Sequence, residues 1–114
     1  MTIVKNTILI LACTFGAVML SAEPPQQSKY KLLYFGAEWC GPCQQMKKMF
    51  KDKEVAKELK RFDFKVYDEK KHPETFKKYK IRLYPTYIFE RDGTMYRYTG
   101  GASKMQFLEI LRKY

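Results

Sequence analysis

The sequence predicts an α/β fold: one four-stranded mixed sheet with flanking helices. Three observations carry that expectation. Apolar spacing switches between the two-residue and helical periods in the order strand, helix, strand, helix, strand, strand, helix. The last two strands are joined by a tight-turn signal, "RDG". No repeat, low-complexity tract or second core interrupts the 114 residues. Helix-linked strands pair in parallel and turn-linked strands antiparallel, so the sheet should start parallel and finish as a hairpin.

The first strand is expected in "YKLLYFG", residues 30–36, a compact apolar and aromatic run ended by Gly36. "PCQQMKKMF" then takes helical spacing, with Met46, Met49 and Phe50 on one side and Pro42 in the opening turn, where its missing N–H costs nothing. Asp52 can cap or restart the helix, whose second part turns Val55, Ala56, Leu59 and Phe62 inward, with a bend near Lys51. "FDFKVYD", residues 62–68, alternates as a strand, and "HPETFKKY" opens a helix with Pro73 and Glu74. "PTYIFE", residues 85–90, and "TMYRY" form the hairpin arms. After the Gly100–Gly101 turn, Ser103 and Gln106 make a capping box for a helix whose stripe is Phe107, Leu108 and Leu111.

Residues 1–22 have the layout of a cleavable export signal: one charge at Lys5, an apolar run from Ile8 to Leu20, and small residues ending at Ala22. An uncleaved, membrane-anchored form is the alternative, although the run is shorter than a spanning helix of roughly 20 residues. "ILAC" faintly resembles a lipoprotein cleavage box, but the apolar run continues past Cys13, which reads better as a small residue of a discarded segment. Residues 23–29, "EPPQQSK", form a short flexible lead, and residues 30–114 one domain. The expected location is exported, periplasmic or secreted.

The chain carries a net charge of +10, which removal of Lys5 lowers by one. Lys alternates with Asp and Glu at helical spacing in "KKMFKDKEVAKELKR", the pattern of a solvated helix face. No recognition module accompanies it, so no specific nucleic-acid partner is expected.

"EWCGPCQQM", residues 38–46, carries the chemistry. Spacing alone permits metal ligands, a structural disulfide or a redox pair. A structural zinc site needs four ligands, and beside Cys40 and Cys43 the processed chain has only a distant His72, so no metal and no cofactor are expected. Cys40 stands at a helix N-terminus, where unpaired N–H groups and the helix dipole favour a thiolate; Cys43 lies one turn deeper. That placement lets Cys40 attack a disulfide and Cys43 resolve the mixed disulfide.

"FGAEWCGPCQQM" resembles the active-site region of the thioredoxin family, "IRLYPT" at residues 81–86 its proline loop, and "DGTMYRYTGGASKMQFLEIL" its closing hairpin and helix. The resemblance implies a minimal thioredoxin-like fold and a thiol–disulfide oxidoreductase with Cys40 as nucleophile and Cys43 as resolving thiol. It implies a cis Pro85 facing the pair, and a partner groove made by Trp39, Gly41, Pro42, Tyr84 and Pro85. Two departures stand out. Tyr34 occupies the position where many members place a buried acid, which leaves water, or Lys65 after losing its proton, to serve the deeper thiol. No room remains for the family's preceding strand and helix, so one edge of the sheet needs shielding.

The Gly–Pro insert resembles reducing members, which implies reduction of disulfides in exported proteins and a membrane-linked thiol reductant as donor. The alternatives are an exported oxidase or isomerase, or a non-catalytic adaptor binding through the Trp39 and Tyr84 groove. The protein is expected to be a monomer.

Overall fold

The computed structural model describes residues 29–114. The expected export segment 1–22, Cys13 and all but the last residue of the 23–29 lead lie outside the described residues.

The elements follow the expected order: β1 (Lys31–Gly36), α1 (Gly41–Met49), α2 (Lys53–Leu59), β2 (Asp63–Asp68), α3 (Pro73–Lys78), β3 (Thr86–Arg91), β4 (Thr94–Thr99) and α4 (Lys104–Lys113). The sheet order is β2-β1-β3-β4. β1 runs parallel to β2, with Tyr34 opposite Val66, and antiparallel to β3, with Tyr34 opposite Tyr87. β3 and β4 close the sheet as a hairpin whose turn residues Asp92 and Gly93 have φ of 51° and 84°. Two consecutive positive φ values match the twist of the strands they join, which is why the turn falls on Asp-Gly.

Alternation along the central strands feeds two cores. Leu32 and Tyr34 of β1 and Tyr87 and Phe89 of β3 meet Met46, Val55, Leu59, Phe107, Leu108 and Leu111, so α1, α2 and α4 share one face. Leu33, Phe35 and Ile88 meet Phe76 of α3 and Ile81 on the other. This is the thioredoxin fold in its four-stranded form.

The expected bend near Lys51 is a break between two helices. Phe50 ends α1, and Asp52 restarts the chain by accepting the N–H groups of Glu54 at 2.9 Å and Val55 at 3.3 Å. Such a cap contributes about 1 kcal/mol. The Ser103–Gln106 capping box forms in both directions, at 3.0 and 3.2 Å. Lys104 then reaches back to Asp52 at 3.2 Å and Glu54 at 3.1 Å, tying α4 to the start of α2.

Candidate active site

β1 delivers the chain to the site. Gly36 ends the strand, Ala37 is buried, and the N–H of Cys40 donates to the Ala37 carbonyl at 3.2 Å, closing a turn just before α1. Cys40 is the N-cap of α1 in extended conformation, and Pro42 sits in the first helical turn. The Cys43 N–H donates to Cys40 Sγ at 3.2 Å. A sulfur so placed receives a backbone N–H and the positive end of the helix dipole, both of which favour its thiolate over its thiol.

Cys40 and Cys43 are joined in a disulfide, with Cα atoms 5.2 Å apart. Cys40 is 5% exposed and Cys43 0%. The pair thus has an outer and an inner member. Ala37 joins the two cysteines in one buried cluster, against which the half-buried Tyr84 packs.

Tyr34 stands behind the pair. Its ring is fully buried, edge-on to Phe50 at 4.9 Å and 5.7 Å from Tyr87, and its hydroxyl donates to the Cys43 carbonyl at 3.2 Å. Burial pushes the phenol well above its ordinary range, so Tyr34 remains a hydrogen-bond donor. Gly36 makes this arrangement possible. A Cβ at position 36 would lie 2.8 Å from the Tyr34 hydroxyl oxygen.

Trp39, Tyr84 and Pro85 stand in front. The Tyr84–Pro85 peptide bond is cis, as the resemblance implied, and the buried Pro85 accepts the Gly100 N–H at 2.8 Å. Strand β3 begins only at Thr86, so Tyr84 lies outside the ladder. Its ring is 5.2 Å from that of Trp39 and 5.6 Å from that of Phe76. Gly41 and Pro42 are exposed at the rim, where a Cβ on Gly101 would come 3.4 Å from Pro42.

Lys65 is not brought to the cysteines. It is exposed on β2 opposite Leu33, on the α3 side of the sheet, whereas Tyr34 and α1 lie on the other. Neighbouring Val66 is exposed as well, whereas Phe64 and Tyr67 of the same strand pack against the two cores. His72 is exposed at the start of α3 with its ring edge-on to Tyr67. Among the described residues no three His, Cys, Asp or Glu side chains converge as a metal-holding group, and no helix is long and apolar enough to cross a membrane.

Glu69 is the site residue that the sequence reading did not single out. One of its oxygens accepts the Trp39 Nε1–H at 3.4 Å and the other accepts the Tyr84 hydroxyl. Burial first, and the bond to Glu69 second, push the Tyr84 phenol up to about 12. Parallel pairing was the available signal: it sets the C-terminal end of β2 beside that of β1, where the cysteine loop begins.

A dithiol that closes across the first turn of a helix, opposite a cis-proline loop, defines a thioredoxin-fold protein of thiol–disulfide redox chemistry. The comparisons agree. The thioredoxin family pattern matches residues 19–113. Thioredoxin of Mycoplasmoides gallisepticum is 35% identical over 86 residues, covering 75% of this chain and 84% of that protein. Thioredoxin Y2, chloroplastic, of Arabidopsis thaliana is 38% identical over 80 residues, covering 68% of this chain, which spans only 47% of that protein. Among solved structures, the reduced thioredoxin pre-protein of Schistosoma mansoni superposes with a TM-score of 0.62 at 27% identity, covering 89% of this chain and 90% of that one. The chain belongs to the thioredoxin family.

Proposed function

We propose that the chain reduces disulfides of exported proteins through a Cys40/Cys43 dithiol–disulfide cycle. The observation that carries this reading is the placement of Cys40 Sγ as N-cap of α1, receiving the Cys43 N–H, while Cys43 lies one helical turn deeper and out of solvent.

The cycle starts from the reduced pair. The Cys40 thiolate attacks one sulfur of the substrate disulfide; that bond breaks, and the other substrate sulfur leaves as a thiolate that takes up a proton. Cys43, after losing its proton, attacks Cys40 Sγ. The Cys40–Cys43 disulfide forms and the second substrate thiolate departs. Two electrons and two protons pass to the substrate. A thiol donor must then reduce the pair, and in an oxidising exported compartment a membrane-linked dithiol supplies that role. The layout of residues 1–22 supports export.

Because Tyr34 is held as a donor, water is the remaining acceptor for the Cys43 proton in this reading. Cys43→Ser tests the cycle. Cys40 of that variant should attack but find no internal thiol, so mixed disulfides with substrates accumulate and are identified by mass spectrometry after non-reducing separation. A folded, alkylatable variant that captures no covalent partner in its native compartment would favour the adaptor. Capture through substrates being oxidised, with the parent chain driving disulfide formation, would reverse the direction of electron flow.

A further inference from the structure

We propose that Glu69 is a positioning residue: it locks Trp39 and Tyr84 into one preset wall beside Cys40, and this wall favours disulfides carried on protein chains over small ones. The inference rests on the reductase reading above.

Trp39 and Tyr84 come from separate segments. Trp39 belongs to the loop after β1 and is 70% exposed, and Tyr84 belongs to the loop before β3. Rings on separate exposed loops would ordinarily move independently. Glu69, from a third segment, takes one donor on each carboxylate oxygen, the indole N–H at 3.4 Å and the phenol O–H. The rings are thereby held 5.2 Å apart at 42°.

The clamp has a fixed mount. Glu69 follows the last residue of β2, and its own N–H donates to the Gly36 carbonyl at the end of β1 at 3.0 Å. Asp68 accepts the Lys70 N–H at 2.9 Å, which closes the turn around Glu69. Backbone from two paired parallel strands therefore sets where the carboxylate stands. The Tyr84 phenol, raised to about 12, stays a donor throughout the neutral range.

A small disulfide needs only to reach Cys40 Sγ. A disulfide in a protein brings flanking chain, which meets Trp39, Tyr84 and the cleft of about 330 Å³ that Trp39, Glu69, Asp68 and Lys70 line. Side chains ordered before the encounter do not have to be ordered by it, so the clamp strengthens association with partners that touch the wall.

The test compares the full chain with Glu69→Ala, Glu69→Gln and Tyr84→Phe, using insulin as protein disulfide and hydroxyethyl disulfide as small one, with dithiothreitol as donor. For Glu69→Ala the KM for insulin should rise about tenfold while kcat stays within about twofold, the size expected when two side chains lose their preset order. The ratio of kcat/KM for insulin to that for hydroxyethyl disulfide should fall by about the same factor. Glu69→Gln keeps a carbonyl oxygen for one donor and should fall between parent and Glu69→Ala. Trp39 is the chain's single tryptophan, so acrylamide quenching of its fluorescence reads the wall without any turnover. Quenching should rise in Glu69→Ala and in Tyr84→Phe. Unchanged quenching, or an equal loss on both disulfides, overturns the role of Glu69. No insulin reduction by the unsubstituted chain overturns instead the reductase reading on which the selection rests.

Discussion

The disulfide has two flanks, each built on a tyrosine, and they work differently. Behind it, Tyr34 is enclosed by Phe50 and Tyr87, and its hydroxyl binds the backbone of Cys43. In front, Tyr84 is half-buried between Trp39 and Phe76, and its hydroxyl binds the side chain of Glu69. The rear phenol holds a helix to a sheet, so its loss should appear in folding. The front phenol holds one groove residue to another, so its loss should appear in partner binding.

The largest effect that separates the flanks is on stability. Tyr34→Ala should cost about 3–5 kcal/mol, since it empties a closed aromatic site. Tyr84→Ala should cost about 1 kcal/mol, because its site opens to water. Urea unfolding of both variants checks this; equal losses, or the reverse ranking, would break the contrast.

Reactivity comes next. In the reduced protein Cys40 should alkylate at least about tenfold faster than Cys43, because its sulfur takes the helix N-terminal N–H contact and Cys40 keeps 5% exposure, while Cys43 has none. Competitive labelling followed by peptide mass analysis reads the ratio, and faster labelling at Cys43 would exchange the assigned roles.

The smallest effect is in alkaline titration. A phenol whose folded-state pKa is raised contributes stability fully below its ordinary value of 10.0 and loses it as pH climbs through the folded value, about 12 for Tyr84. Ultraviolet difference titration of the parent against Tyr84→Phe should show a phenolate appearing near 12, and Tyr34→Phe should show its missing phenolate only at higher pH. A Tyr84 midpoint near 10 would show that its enclosure and its bond to Glu69 do not persist in solution.

Local chemistry accounts for what could be read from the sequence. The Asp92–Gly93 turn, the Asp52 cap, the Ser103–Gln106 box and "WCGPC" each declare themselves within a few residues. Pro85 and its cis bond followed from resemblance to a family. What stayed hidden depends on pairing across the sheet. Lys65 stands in the sequence only as an alternative to water as proton acceptor, because strand alternation gives two faces without saying which faces which helix. The register that pairs Lys65 with Leu33 sends it to the α3 side. Glu69 lies in "DEKK", which reads as a solvated charge run, and its link to Trp39 spans 30 residues that no periodicity connects.

Gly36 carries a consequence for how this sequence can vary. The hydroxyl that a side chain at 36 would strike belongs to a ring closed in by Phe50 and Tyr87 and bonded to Cys43, so the ring has little room to retreat. Any residue larger than glycine at 36 requires a shorter one at 34. The two positions are coupled as a lock and its tumbler: a lineage that exchanged Tyr34 for a small residue would release 36 to drift, and a lineage that keeps the tyrosine is confined to glycine two residues on.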